Sequence, residues 1–270
     1  MLKKFLLACI SCMMLFSCAY AENELDYKEV RAKALKGDAK SQYNLGVMYD
    51  EGYKGVKKNQ KEAVKWYRKA ASQNYPEAFY NLGVAYAHGF GVKKDETEAV
   101  KWYLKAAEHG LSVAYYNLGV MYLNGRGVKL NYDEAFNWFK KASDMGDDEA
   151  DMAIATMFHK GMGVKQNEIE AVKWYRKAAD RGNIEGIFLL GEAYANGNGI
   201  ARDINEACKI FILLAEEGYP YAQHDLGIMY LRGEGVERND AQGIEWLRKA
   251  AQQGHELSQE KLNEIGRAHV

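Results

Sequence analysis

The chain has 270 residues, 48% of them hydrophobic and 27% charged, with a formal net charge of −1. This is the balance of a folded soluble protein, and it excludes the basic field that nucleic-acid binding requires. Two prolines favour long helices, and four cysteines, three of them before residue 19, offer no disulfide framework.

In chain order, the N-terminus reads as an export signal. Lys3 and Lys4 precede the apolar run Phe5 to Phe16, and Ala19-Tyr20-Ala21 supplies a small-x-small cleavage site before Glu22. The run is too short to span a bilayer. Residues 1–21 are therefore expected to be removed and the protein to be periplasmic or secreted. The alternative is a lipoprotein: Leu15-Phe16-Ser17-Cys18 resembles a bacterial lipobox, with an unusual Phe16, and Cys18 would carry the anchor. Cleavage after Ala21 leaves Cys208 alone. Its setting, Ala207-Cys208-Lys209-Ile210-Phe211, reads as that of a small buried hydrophobe.

Residues 22–37 hold one helix, read as an N-terminal capping half-repeat. A strict period follows. Trp66, Trp102, Trp138, Trp174 and Trp246 lie on one ladder of 36-residue steps, with Ile210 on the missing rung. Leu45-Gly46, Leu82-Gly83, Leu118-Gly119, Leu190-Gly191 and Leu226-Gly227 form a second ladder, with Ile154-Ala155 in the gap. A period of this size marks a solenoid, in which each unit buries its apolar face only against its neighbours.

One unit, residues 75–110, shows the plan. Pro76 opens helix A at a first-turn position, as Pro220 does four periods later. Ala78, Leu82 and Tyr86 form one apolar face. Gly83 sits in mid-helix, where glycine costs about 1 kcal/mol relative to alanine, so a neighbouring helix is expected to come close there. Gly89-Phe90-Gly91-Val92 stops the helix, and the pattern recurs at Gly125, Gly161, Gly197 and Gly233. Read as a phosphate cradle it fails, since no strand precedes it and six copies would be required. Helix B opens on a cap rung of Asn59, Asp95, Asn131, Asn167, Asp203 and Asn239. Glu62, Glu98, Glu134, Glu170, Glu206 and Gln242 follow three residues later, which is a capping-box arrangement. Trp102 opposite Ala106 and Ala107 predicts large-to-small packing between helices.

Ala-x-x-x-Leu-Gly-x-x-Tyr, Gly-x-Gly-Val, then Ala-x-x-Trp-x-x-x-Ala-Ala-x-x-Gly resembles the Sel-1-like repeat family, a relative of the tetratricopeptide repeats. The resemblance covers residues 38–254 as six units. It implies an all-α fold, a right-handed α/α superhelical solenoid of six 36-residue helix pairs with partial repeats at both ends. A partial helix occupies 255–270. Its last seven residues, Glu264 to Val270, read as a translated sequencing adapter, so the native chain is expected to continue past Asn263.

The resemblance also implies a protein-interaction scaffold whose helix A ladder lines the concave side and holds a partner protein or peptide. The candidate positions lie beside the core stripe. One rung reads Tyr43, Tyr80, Tyr116, Met152, Phe188, His224, and the next reads Asn44, Asn81, Asn117, Ala153, Leu189, Asp225. The expected partner-binding residues are Tyr43, Asn44, Tyr80, Asn81, Tyr116, Asn117, His224 and Asp225. Asparagine amides suit an extended peptide backbone, and tyrosine gives contact area at low entropic cost. The competing reading packs the tyrosines between repeats.

The chain is expected not to be an enzyme and to act as a monomer, with no catalytic residues, no cofactor, no metal, no nucleic-acid partner and no membrane span. The alternative is a weak β-lactam-binding or β-lactamase-like exported enzyme, as implied by cysteine-rich relatives. This chain lacks their paired cysteines. Ser258-Gln259-Glu260-Lys261 matches Ser-x-x-Lys, but no Ser-Asp-Asn or Lys-Thr-Gly accompanies it. The six histidines, His88, His109, His159, His224, His255 and His269, show no metal-ligand spacing and are expected mostly at the surface.

Overall fold

The computed structural model describes residues 26–53 and 55–268. The segment read as an export signal, with Cys9, Cys12 and Cys18, lies outside the described residues. Fourteen helices, and no strand, make up the described chain. They are α1 (Tyr27–Leu35), α2 (Ala39–Glu51), α3 (Gln60–Ala71), α4 (Pro76–His88), α5 (Glu96–Glu108), α6 (Ser112–Asn124) and α7 (Tyr132–Asp144), followed by α8 (Asp148–Lys160), α9 (Glu168–Asp180), α10 (Ile184–Asn196), α11 (Ile204–Glu216), α12 (Pro220–Arg232), α13 (Asp240–Gln252) and α14 (Glu256–Ala268). The even-numbered helices from α2 to α12 are the A helices, and α3 to α13 are their B partners. The chain is an all-α helical repeat solenoid. The chain divides into two compact units between Ala150 and Asp151, within α8. Among the described residues no helix is long and apolar enough to cross a membrane.

The cap rung works as the sequence predicts. Each Asn or Asp side chain accepts from the N–H three residues on, at 3.2 Å for Asn59, 3.0 Å for Asp95, 3.1 Å for Asn131, 3.2 Å for Asn167, 3.0 Å for Asp203 and 3.0 Å for Asn239. The reciprocal half of the capping box is replaced. The cap N–H donates to a carbonyl in the last turns of the preceding A helix, Asn59 to Tyr49 at 2.7 Å and Asp95 to Tyr86 at 2.9 Å. The freed Glu side chains turn outward to lysines, Glu62 to Lys65 and Glu98 to Lys101. Changing Asp95 to Ala is expected to destabilise the protein by about 1 kcal/mol, read from the urea midpoint. An unchanged midpoint would mean that the loop carbonyl alone fixes the helix start.

In the first unit the mid-helix glycines each lie under an aromatic ring of the partner B helix. A Cβ on Gly46 would stand 2.6 Å from Tyr67, on Gly83 2.5 Å from Tyr103, and on Gly119 2.5 Å from Phe139. The same holds in the second unit for Gly191 against Phe211 at 2.8 Å. These rings, one residue past the tryptophan ladder, fill the core: Tyr103 and Phe139 are fully buried. The tryptophans are half-buried instead. Each of the five carries a lysine ammonium over its ring, from 3.8 Å for Lys69 on Trp66 to 4.5 Å for Lys105 on Trp102. The indole N–H groups of Trp102 and Trp138 are buried without a hydrogen-bond partner.

In several loops the second glycine locks one repeat onto the one before. Gly91 has φ 68° and faces the backbone at the start of α3, where an added Cβ would stand 2.2 Å from the Gln60 carbonyl oxygen. Gly127 meets Glu96 and Gly199 meets Glu168 in the same way. In the second unit the fully buried Asp151 carboxylate sits against Arg181 at 2.5 Å and Lys177 at 3.3 Å, so a charge that would be prohibitive alone is paired. Cys208 is buried, and burial pushes its thiol up from the usual range.

Candidate binding groove

The A-helix rung residues proposed to bind a partner are half-buried, whereas Met152 and Phe188 on the same rung are buried. In the first unit the tyrosine rung packs onto the core rings. Tyr43 lies 5.9 Å from Tyr67 and 5.1 Å from Tyr75, Tyr80 lies 5.8 Å from Tyr103, and Tyr116 lies 5.6 Å from Phe139. The tyrosines therefore rest mainly on the B helix of their own repeat. Burial raises the Tyr80 and Tyr116 phenols, which stay protonated at any physiological pH.

Asn81 and Asn117 do not stand free beside the core stripe. The Asn81 amide lies against the hydroxyl of Tyr67 and the Asn117 amide against that of Tyr80, each one repeat earlier, and each favours the ionised phenol. Asn117 also donates to the Val113 carbonyl at 2.8 Å. These contacts clasp consecutive repeats, and they leave the Asn117 amide oxygen as its acceptor for anything lying along the face.

In the second unit the same face opens into two consecutive clefts. One, of about 300 Å³, lies among α8, α9 and α10 and includes His159, Tyr175, Leu189, Glu192 and Asn196. The other, of about 380 Å³, lies among α10, α11 and α12 and includes Glu192, Asn196, Arg202, Phe211, Asp225 and Arg232. Glu192 and Asn196 line both. Burial, then the neighbouring Glu192, pushes the Asp225 carboxyl up to about 7. Burial also raises Glu192. Burial, then Glu168 and Glu192, pushes Tyr175 up to about 12. Asp225 was legible as a groove residue; Glu192, Arg202 and Arg232 were not singled out. The signal for Glu192 was present, because its rung otherwise reads Val47, Val84, Val120, Thr156, Ile228.

His224 and His255 are half-buried rather than exposed. Their Nδ1 atoms each lie 2.9 Å from the Ser258 hydroxyl, with ring centroids 4.8 Å apart. Burial lowers both imidazoles, and for His224 the adjacent His255 adds to the effect. This cluster docks α14 onto α12. It also bears on the Ser-x-x-Lys match. Ser258 is fully buried and its hydroxyl is held by two imidazoles, while Lys261 pairs with Glu264 at 2.9 Å. The serine and lysine are not arranged as nucleophile and base.

The period now has an identity. The Sel1 repeat model matches residues 39–75, 76–111, 112–147, 148–183, 184–219 and 220–255, far more than half of the chain. The chain belongs to the Sel1 repeat family. Among solved structures it is similar to a Sel1 repeat protein from Oxalobacter formigenes, with 36% identity, a TM-score of 0.68, and coverage of 79% of this chain and 85% of that one. It is also similar to c5321, a protective antigen of uropathogenic Escherichia coli with an SLR fold, with 36% identity, a TM-score of 0.84 and 90% of this chain covered. This Sel1 protein spans only 52% of that antigen. A curated relative, the ERAD-associated E3 ubiquitin-protein ligase component HRD3A of Arabidopsis thaliana, is 31% identical over 70 residues, which are 26% of this chain and 10% of the plant protein.

Proposed function

We propose that this Sel1 repeat protein is an exported scaffold that holds a partner polypeptide along the face of its A helices. Sel1 repeats generally act as protein-interaction scaffolds, and that coarser role follows from the family. The observation that carries the finer reading is the row of half-buried aromatic and amide groups repeated on that face. Such a row offers apolar contact area with polar groups at a fixed spacing, which suits an extended chain better than a compact small molecule. Tyr43, Asn44, Tyr80, Asn81, Tyr116, Asn117, His224 and Asp225 are the contact residues proposed. Export rests on the sequence of residues 1–21, with lipidation at Cys18 as the alternative, and the working form proposed is the monomer.

The test places a photoreactive side chain at Asn117 and, in a second variant, at the exposed Lys101 of α5. Illumination in living cells followed by denaturing capture is expected to trap a protein adduct through position 117 and little through position 101. Adducts through 101 alone would move the binding surface to the B helices and sink this reading. Mass of the captured protein also reports whether it starts at Glu22 or at an acylated Cys18.

A further inference from the structure

Two half-buried carboxyl groups, Glu192 and Asp225, line the second unit's groove, and neither has a hydrogen-bond or ion-pair partner among the described residues. The charge of Glu192 bears on Asp225. Two arginines line the same cleft without meeting them. Arg202 donates its Nε to the Ala195 carbonyl at 2.9 Å, and neither guanidinium lowers the Asp225 carboxyl. By contrast, the fully buried Asp151 carboxylate of this unit is paired with Arg181 and Lys177. Buried carboxyls left without a counter-charge carry a large desolvation penalty, which a cation arriving from outside would offset.

The cleft around them has the shape for one kind of cation. Its walls include Phe211, Ile228 and Met229, which suit the methylene stem of a long basic side chain, with the charged head reaching the carboxyls. Glu192 also lines the neighbouring cleft, so an extended segment lying across both would pass the carboxyl pair at mid-length. A compact ion would leave the second cleft and its Leu189 and Tyr175 wall empty. We propose that Glu192 and Asp225 form a subsite for a lysine or arginine side chain of the partner polypeptide, seated between α10 and α12. This deepens the scaffold reading and rests on it.

The test uses the full chain and two dye-labelled ten-residue peptides, one alternating alanine with lysine and one alternating alanine with glutamate. Fluorescence anisotropy is expected to show binding of the basic peptide only. The double variant Glu192→Gln, Asp225→Asn is isosteric and removes buried charge, so it is expected to fold, as circular dichroism will check. It should weaken the basic peptide about tenfold or more. A control variant, Glu62→Gln with Glu98→Gln on the first unit, should leave affinity unchanged. Equal weakening by the control would reduce the binding to diffuse surface charge and overturn the proposal. So would preference for the acidic peptide, since the arginines would then be the recognition element, and so would no binding of either peptide. A protein adduct still trapped through Asn117 by the double variant, at wild-type yield, would remove the cationic subsite while leaving the scaffold reading standing.

Discussion

Replacing Gly91 by alanine is expected to lower stability by about 3 kcal/mol or more. Two effects add. The residue holds φ 68°, a left-handed conformation that costs an L side chain about 1–2 kcal/mol. The new methyl would also stand 2.2 Å from the Gln60 carbonyl oxygen, and the obstacle is backbone at the first turn of α3, which cannot rotate away. Relieving the overlap requires α3 and the α4–α5 loop to part, adding about 1–3 kcal/mol. Gly110 is the matched control. It has φ 78° with nothing within 4 Å of an added Cβ, so Gly110→Ala should show the conformational part alone. Chemical denaturation gives the difference, and hydrogen exchange should place the extra opening at α3–α5, because each repeat leans only on its neighbours. Equal losses at the two glycines would mean that the loop-to-helix contact contributes nothing to stacking.

Gly91 also marks what a single sequence reveals and what it hides. The period, the helix starts and the αL stops are local chemistry. Asn59 and its five equivalents cap because their side chains reach an N–H three residues away, and that spacing is written in the sequence. The partner of the Asn59 N–H is the Tyr49 carbonyl, ten residues back across a loop, and backbone carbonyls leave no signature. For the same reason the loop glycines could be read as helix stops but not as seats for the preceding repeat. The tryptophan ladder drew attention because tryptophan is rare. The denser signal lay one residue on, where Tyr67, Tyr103, Phe139, Tyr175 and Phe211 repeat in step with the small-residue rung that receives them. The spacing along one helix set Asn81 and Asn117 beside the core stripe without showing that each comes against a tyrosine of the previous repeat. The groove was half legible. Asp225 fell on a rung under scrutiny, whereas Glu192 lies on a rung, mostly valine and isoleucine, that was not singled out.

The largest side-chain effect is expected at Tyr103. Its truncation to alanine should destabilise the first unit by about 3–5 kcal/mol, the range for losing a large buried aromatic. The ring is 2% exposed and lies on Gly83, where no other side chain can move in to fill the hole without lengthening α4 contacts. Tyr103→Phe should be close to neutral, because the equivalent position in the next repeat is Phe139, equally buried. Trp102→Ala should cost less than Tyr103→Ala despite the larger side chain. Trp102 is half-buried, its indole N–H is buried without a partner, and part of its contact is with the Lys105 ammonium at 4.5 Å, which water can solvate instead. Urea denaturation of the three variants orders them, and a greater loss for Trp102→Ala would restore the tryptophan ladder as the core. The consequence for binding follows from the same packing. Tyr80 rests on Tyr103 and lies against the Asn117 amide, so removing the ring should free both groups to move. Adduct yield through Asn117 is then expected to fall in Tyr103→Ala and to be retained in Tyr103→Phe, which would tie the binding face to the ring beneath it.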